Sequence, residues 1–133
     1  MQNNINPVVH FELPYKDAER ISSFYETTFG WQITKLGEQS GNYILAKTAV
    51  KDAKLGFPAR TIDGGFFPTK PDWPNQYPSI VIGVDDINES IIKIKGNGGQ
   101  VLGEPILIQN FGMYVSFIDT EGNRNSVLQP QGM

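Results

Sequence analysis

Apolar and polar residues alternate over positions 8–13, with Val9, Phe11 and Leu13 on one side and Val8, His10 and Glu12 on the other. A period of two predicts a half-buried strand. Asp17 can cap the helix that follows, whose apolar positions Ala18, Ile21, Phe24, Tyr25 and Phe29 are expected to form one buried stripe, and Gly30 stops it. Short strands are predicted near Trp31–Leu36 and Asn42–Lys47, joined by a polar turn that holds Gly37 and Gly41. The run Thr61–Phe67 reads as a fourth strand, in which Gly64 and Gly65 mark a bulge or the close approach of another group to the backbone.

Four prolines, Pro68, Pro71, Pro74 and Pro78, then exclude a helix or an inner strand over 68–78, and this stretch reads as a linker. Beyond it the order of elements repeats. Ser79–Val84 alternate as a strand, and Asp86 with Glu89 three residues on forms a capping-box pattern. Ile87, Ile91 and Ile94 make a helical stripe, and Gly96, Gly98 and Gly99 end it. Strands are predicted near Gln100–Leu102, Pro105–Ile108, Met113–Asp119 and Arg124–Gln129, the last two joined by the turn TEGN at 120–123. His10 and Ser79, Asp17 and Asp86, and Gly30 and Gly99 are each separated by 69 residues (79 − 10, 86 − 17, 99 − 30). The prediction is therefore an α+β domain over 1–133 with two βαβββ modules, at about 7–67 and 79–130.

Composition narrows the chemistry. With 133 residues, 39% hydrophobic and 19% charged, the chain can bury a core without staples. A net charge of −3, without clustered Lys or Arg, argues against a nucleic-acid partner. The chain has no apolar run long enough for a membrane span, and residues 1–6 are polar and unlike a signal peptide, so a cytoplasmic location and no membrane partner are expected. Zero cysteines exclude thiolate nucleophiles and Cys-ligated zinc, and the single histidine, His10, has no nucleophile-elbow motif to serve. No phosphate-binding glycine loop is present.

Three segments carry a resemblance. HFELPYKDAERISSFYETTFGW (10–31) resembles the first module of the vicinal oxygen chelate superfamily, which includes glyoxalases, bleomycin-resistance proteins and extradiol dioxygenases. VDDINESIIKIKGNGGQV (84–101) is similar to its second module and FIDTEGNRNSVLQP (117–130) to its closing hairpin, while IDGG at 62–65 resembles a glyoxalase-related branch of uncertain function. The resemblance implies that the two modules pair into one mixed sheet curved into a cup with the helices outside, a ligand or metal held within the cup, a homodimer, and His10, Glu12, Ser79, Val81, Ser126 and Leu128 facing inward.

Metal-dependent members place four ligands inside the cup, usually His or Gln, Glu, His or Gln, and Glu. By the resemblance these positions fall on His10, near Gly65–Phe67, on Ser79 and on Ser126. Neutral hydroxyls are poor substitutes for imidazole or carboxylate, and one good ligand of four predicts no tightly bound metal and no other cofactor.

Each candidate has two readings. His10 is either a hydrogen-bonded core residue or a group that contacts ligand, and Glu12 is either a solvated strand-end residue, the expected case, or a cup acid or base. Asp17, Asp85 and Asp86 are explained by capping, and Asp119 and Glu121 by their turn. Phe67, Trp73 and Tyr114 are candidate ligand contacts beside His10, Ser79 and Ser126, although Trp73 could equally seal the core or a dimer edge. Three functions stay open: a metal-free protein that binds a small, partly apolar organic ligand; a metal-independent lyase or isomerase, or by resemblance a dioxygenase-like enzyme, with His10 or Glu12 as general base; and an accessory domain whose cup is filled by its own side chains. Loops 48–60 and 68–78 shape any pocket, and their course is not readable from the pattern.

Overall fold

The computed structural model describes residues 5–49 and 61–131, so most of loop 48–60 lies outside the described residues. The alternating N-terminal stretch forms β1 (Val8–Tyr15). The Asp17 carboxylate accepts from the Arg20 amide and opens α1 (Ala18–Phe29), and Gly30, left-handed at φ 75°, closes it. Then come β2 (Gln32–Lys35), a 3₁₀ turn (Glu38–Ser40), β3 (Ile44–Lys47) and β4 (Asp63–Pro68). The second module repeats this order with β5 (Ser79–Gly83), α2 (Ile87–Gly96), β6 (Gln100–Ile108), β7 (Gly112–Ile118) and β8 (Arg124–Pro130).

Two local expectations are corrected. The separate strands expected at 100–102 and 105–108 are one strand, β6, whose register shifts between Leu102 and Ile106 where Gly103 takes φ 77°. The capping box is half realised: Asp86 accepts from the amides of Asn88 and Glu89, but the Glu89 side chain turns toward Lys93 instead.

All eight strands join one mixed sheet in the order β2-β3-β4-β1-β5-β8-β7-β6. At its centre β1 and β5 run antiparallel, with His10 opposite Val81, Phe11 opposite Ile80 and Glu12 opposite Ser79. Phe11 and Ile80 are themselves 69 residues apart (80 − 11), so a local two-fold passes through that pair and relates His10 to Ser79 and Glu12 to Val81. Outside this pair, β4 lies parallel to β1 and β8 parallel to β5, placing Gly65 beside Glu12 and Ser126 beside Val81. Gly65 and Ser126 are therefore equivalent positions of the two modules.

Each helix covers its own half of the sheet. Ile87, Ile91 and Ile94 of α2 pack with Val84, Val115, Phe117 and Val127, while Ala18, Ile21 and Tyr25 of α1 pack with Ile44, Ala46 and Phe66. Phe24 and Phe29, expected in the core, are 54% and 61% exposed. At 3.6 residues per turn Phe24 lies about 240° around the helix from Ala18, off the buried stripe, and Phe29 overhangs the last turn. Phe24 meets Tyr25 edge-on and Phe29 lies stacked beside it at 6.0 Å, while Tyr25 stacks on Trp31 at 4.6 Å. No helix among the described residues is long and apolar enough to cross a membrane.

Candidate functional site

Period-two geometry decides which side chains meet inside the cup. On β1 it sends His10 and Glu12 inward, on β7 Tyr114 and Ser116, and on β8 Arg124, Ser126 and Leu128. Tyr43, just before β3, joins them because β4 carries no side chain at Gly65. A Cβ there would fall inside the Tyr43 ring, and one at Gly64 inside the Phe11 ring on the opposite face. The glycine pair thus marks close approach from both faces.

Glu12 is fully buried, which corrects the expectation of a solvated strand-end acid. β1 is an inner strand flanked by β4 and β5, and its inward-facing Glu12 is enclosed by Tyr43, Tyr114 and Ser126. The phenol of Tyr43 donates to Oε2 of Glu12 at 2.7 Å and that of Tyr114 to Oε1 at 2.6 Å. Ser126 Oγ stands 2.9 Å from the Tyr114 oxygen and 3.0 Å from Ser116 Oγ, which accepts from Arg124 Nη2 at 3.0 Å. On the other side His10 Nε2 lies 3.1 Å from the Tyr43 oxygen. With each phenol proton directed at Glu12, two chains of donors converge on one carboxyl group: Arg124, Ser116, Ser126 and Tyr114 from one side, His10 and Tyr43 from the other.

Burial governs the titration of this network. Loss of water pushes the Glu12 carboxyl above its ordinary range, and the two phenols, Arg124 and Ser126 only partly offset it. Burial likewise pushes both phenols up, and the adjacent Glu12 adds to this. His10 is pulled down to about 4 by burial, against a smaller upward pull from Asp63, so its imidazole is neutral at pH 7. Its ring leans on Phe111 at 4.8 Å. At this end the cup is closed, since Phe111 and Leu36 pack onto Val81, Ile108, Tyr114 and Leu128.

The other end is open and holds a cavity of about 270 Å³. Phe67, Trp73, Leu102, Ile106, Ile108 and Tyr114 give it an apolar wall, and Ser116, Arg124, Lys70 and Glu104 supply its charges and hydroxyl. Trp73 hangs from the linker loop, which Gln76 staples: its amide accepts from the Lys70 N–H at 2.6 Å and donates to the carbonyls of Lys70 and Trp73. Arg124 lies 4.8 Å from the Phe67 ring centroid and 5.2 Å from that of Trp73.

Of the residues singled out from sequence, Phe67, Trp73 and Tyr114 line this cavity. His10, Glu12 and Ser126 belong to the network behind its wall, and Ser79 Oγ is buried without a hydrogen-bond partner. Tyr43, Ser116 and Arg124 went unremarked, though strand parity points to two of them: Ser116 is two residues from Tyr114, and Arg124 two from Ser126.

The four ligand positions that the resemblance implies do not suit a divalent metal. Gly65 offers no donor and the Tyr43 ring takes its space, Ser79 and Ser126 offer neutral hydroxyls, and His10 faces Tyr43. Among the described residues no three His, Cys, Asp or Glu side chains come together as a metal site would require.

Comparison with known proteins agrees with the architecture. A glyoxylase-like domain-containing protein of Didymella fabae is 31% identical over 124 residues, which cover 91% of each chain. A Mycobacterium bovis protein with the provisional name glyoxylase CFP32 is 29% identical over 129 residues, and the present chain spans about half of it (46%). Among solved structures, methylmalonyl-CoA epimerase of Streptomyces coelicolor, in complex with 2-nitronate-propionyl-CoA, superposes with a TM-score of 0.69 at 18% identity, covering 97% of this chain and 100% of that one. That likeness is one of fold. The profile of the Glyoxalase/Bleomycin resistance protein/Dioxygenase superfamily matches residues 8–127, and with the two-module sheet in view the chain belongs to that superfamily.

Proposed function

We propose that this protein binds a small, partly apolar organic molecule in the open end of its cup, in the cytoplasm and without a resident metal or other cofactor. The observation that carries the reading is the cavity of about 270 Å³, whose aromatic and aliphatic wall ends in a few polar groups, near the lower end of the size range of small-molecule pockets. The unsuitability of His10, Gly65, Ser79 and Ser126 as a ligand set supports the metal-free part. A homodimer, implied by the superfamily resemblance, belongs to the same reading, and sedimentation equilibrium tests it separately.

A thermal-shift screen of small apolar compounds, neutral and charged, tests the binding. Stabilisation by at least one chemotype is expected, and Ile106→Trp, which plugs the cavity, should abolish it. A screen without a single stabilising compound, or a shift that survives the plug, rules the reading out.

One observation favours a second reading, a metal-independent lyase or isomerase. Tyr114 and Tyr43 both line the cavity while each donates to the buried Glu12. Glu12 lies behind the wall, so it would act as general base through a phenol: as the phenol oxygen takes a proton from substrate, its own proton passes to Glu12. His10 would serve as base only in the arrangement where the Tyr43 proton turns from Glu12 to its Nε2. Unchanged turnover of a discovered substrate by Tyr114→Phe and Tyr43→Phe would eliminate this.

A further inference from the structure

Arg124 begins β8 and is only 8% exposed, yet it has no acid within ion-pair distance among the described residues. One bond, from Nη2 to Ser116, is all that its guanidinium makes. Nε and Nη1, three of the five guanidinium N–H donors, have no partner and no access to water. Buried charges are ordinarily paired, because removing an ion from water without compensation is costly. Glu12, the buried acid of this network, is reached from Nη2 only through the Ser116 and Ser126 hydroxyls, already receives two phenols, and leaves Nε and Nη1 without a partner. The compensating anion has one place to sit, because Arg124 forms part of the cavity wall, beside Ser116 and beneath Phe67 and Trp73.

We propose that Arg124 is the anion receptor of this cavity and that its ligands are small carboxylic acids with a flat or branched apolar body. The inference rests on the reading of the cavity as a ligand site and names the class of molecule it takes. A carboxylate has the charge and planar shape to meet a single guanidinium, and Phe67, Trp73 and Ile106 supply the surface for the apolar body. Lys70, whose ammonium lies 4.6 Å from the Trp73 ring, and Glu104 lie on the same wall with opposite charges, so the unpartnered Nε and Nη1 of Arg124 are the buried cationic donors left for a ligand. The Phe67 and Trp73 rings both lie over the guanidinium, and of the two only Trp73 is carried on a loop and not on a strand, so it is the ring a ligand would displace to meet Nε or Nη1.

Calorimetric titration of the full chain with matched probes decides this: phenylacetate, 4-hydroxybenzoate and isovalerate, each against its primary amide, with tryptophan fluorescence followed in parallel. At least one acid should bind at least tenfold more tightly than its amide and change the emission, and Arg124→Met should erase that preference. Amides that bind as well as the acids, or a preference that survives Arg124→Met, would overturn the role of Arg124 while leaving the cavity a ligand site. Should acids and amides alike fail to bind at millimolar concentration, both this inference and the reading beneath it are lost. Phenyl phosphate binding more tightly than every carboxylate would refute the assignment of carboxylic acids. If Arg124→Met does not fold, the acid-to-amide ratio of the wild-type protein is decisive alone.

Discussion

The Tyr114 hydroxyl lies 2.6 Å from Oε1 of Glu12, and the two residues stand on opposite sides of the cavity surface: the phenol belongs to the wall and the carboxyl group to the interior behind it. A donor aimed at a carboxyl oxygen favours the ionised form, so Tyr114 holds down a pKa that burial pushes up. Tyr114→Phe keeps the ring and removes that donor. Unfolding free energy from urea titration should fall by about 1–3 kcal/mol, more at pH 9 than at pH 5, because the loss falls on the carboxylate and not on the neutral acid. An equal loss at both pH values would show that Glu12 does not change its ionisation state between pH 5 and pH 9.

Glu12 and His10 make opposite contributions to the pH dependence of stability. The folded pKa of Glu12 is raised, so its contribution is present below pH 4.5 and is lost as pH rises through the folded value. The folded pKa of His10 is depressed from 6.5 to about 4, so its contribution is present above pH 6.5 and is lost as pH falls toward 4. His10→Gln should therefore flatten the acid limb of the stability curve, by on the order of 3 kcal/mol at most. Because His10 is the only histidine, its imidazole NMR signals are unambiguous, and a titration midpoint above 6 would contradict the burial argument.

Gly65 and Tyr43 form a steric pair, with the ring occupying the space where any Cβ on residue 65 would lie. Gly65→Ala should destabilise the protein by about 1–3 kcal/mol. The double variant Gly65→Ala/Tyr43→Ala should cost less than the sum of the single changes, because the obstructing ring is gone. Additivity in urea denaturation would mean that the ring moves aside without cost.

Much of this fold is legible in the chain because the elements repeat with matching punctuation. The spacing of 69 that relates Asp17 to Asp86 also relates Phe11 to Ile80, and the two meet at the centre of the sheet. Alternation gives each strand two faces but not which strand is inner. Glu12 looks like a strand-end acid until β4 and β5 are known to flank it, and Phe24 looks like core until the width of the buried stripe is known. The linker loop is set by the Gln76 side chain bonding to backbone at Lys70 and Trp73, contacts that no periodicity encodes. The cavity was illegible for the same reason, since one wall belongs to that loop.

The inner positions of the two modules lead to a prediction about metals. Equivalent places on β4 and β8 carry Gly65 and Ser126, and the hydroxyl of Ser126 is already bonded within the Glu12 network. His10 is neutral at pH 7 and so chemically able to ligate, but its Nε2 faces the Tyr43 phenol. A metal at His10 would have to break that contact and find further ligands where the Tyr43 ring lies. Titration calorimetry with Mn²⁺, Co²⁺, Ni²⁺ and Zn²⁺ should therefore show no stoichiometric binding tighter than about micromolar, well short of what structural and catalytic sites reach with three or four good ligands. Tyr43→Ala would clear the space beside Gly65 without supplying a donor, so it should not create such a site. Submicromolar, one-to-one binding by the wild-type protein that His10→Gln abolishes would show that the cup rearranges around a metal.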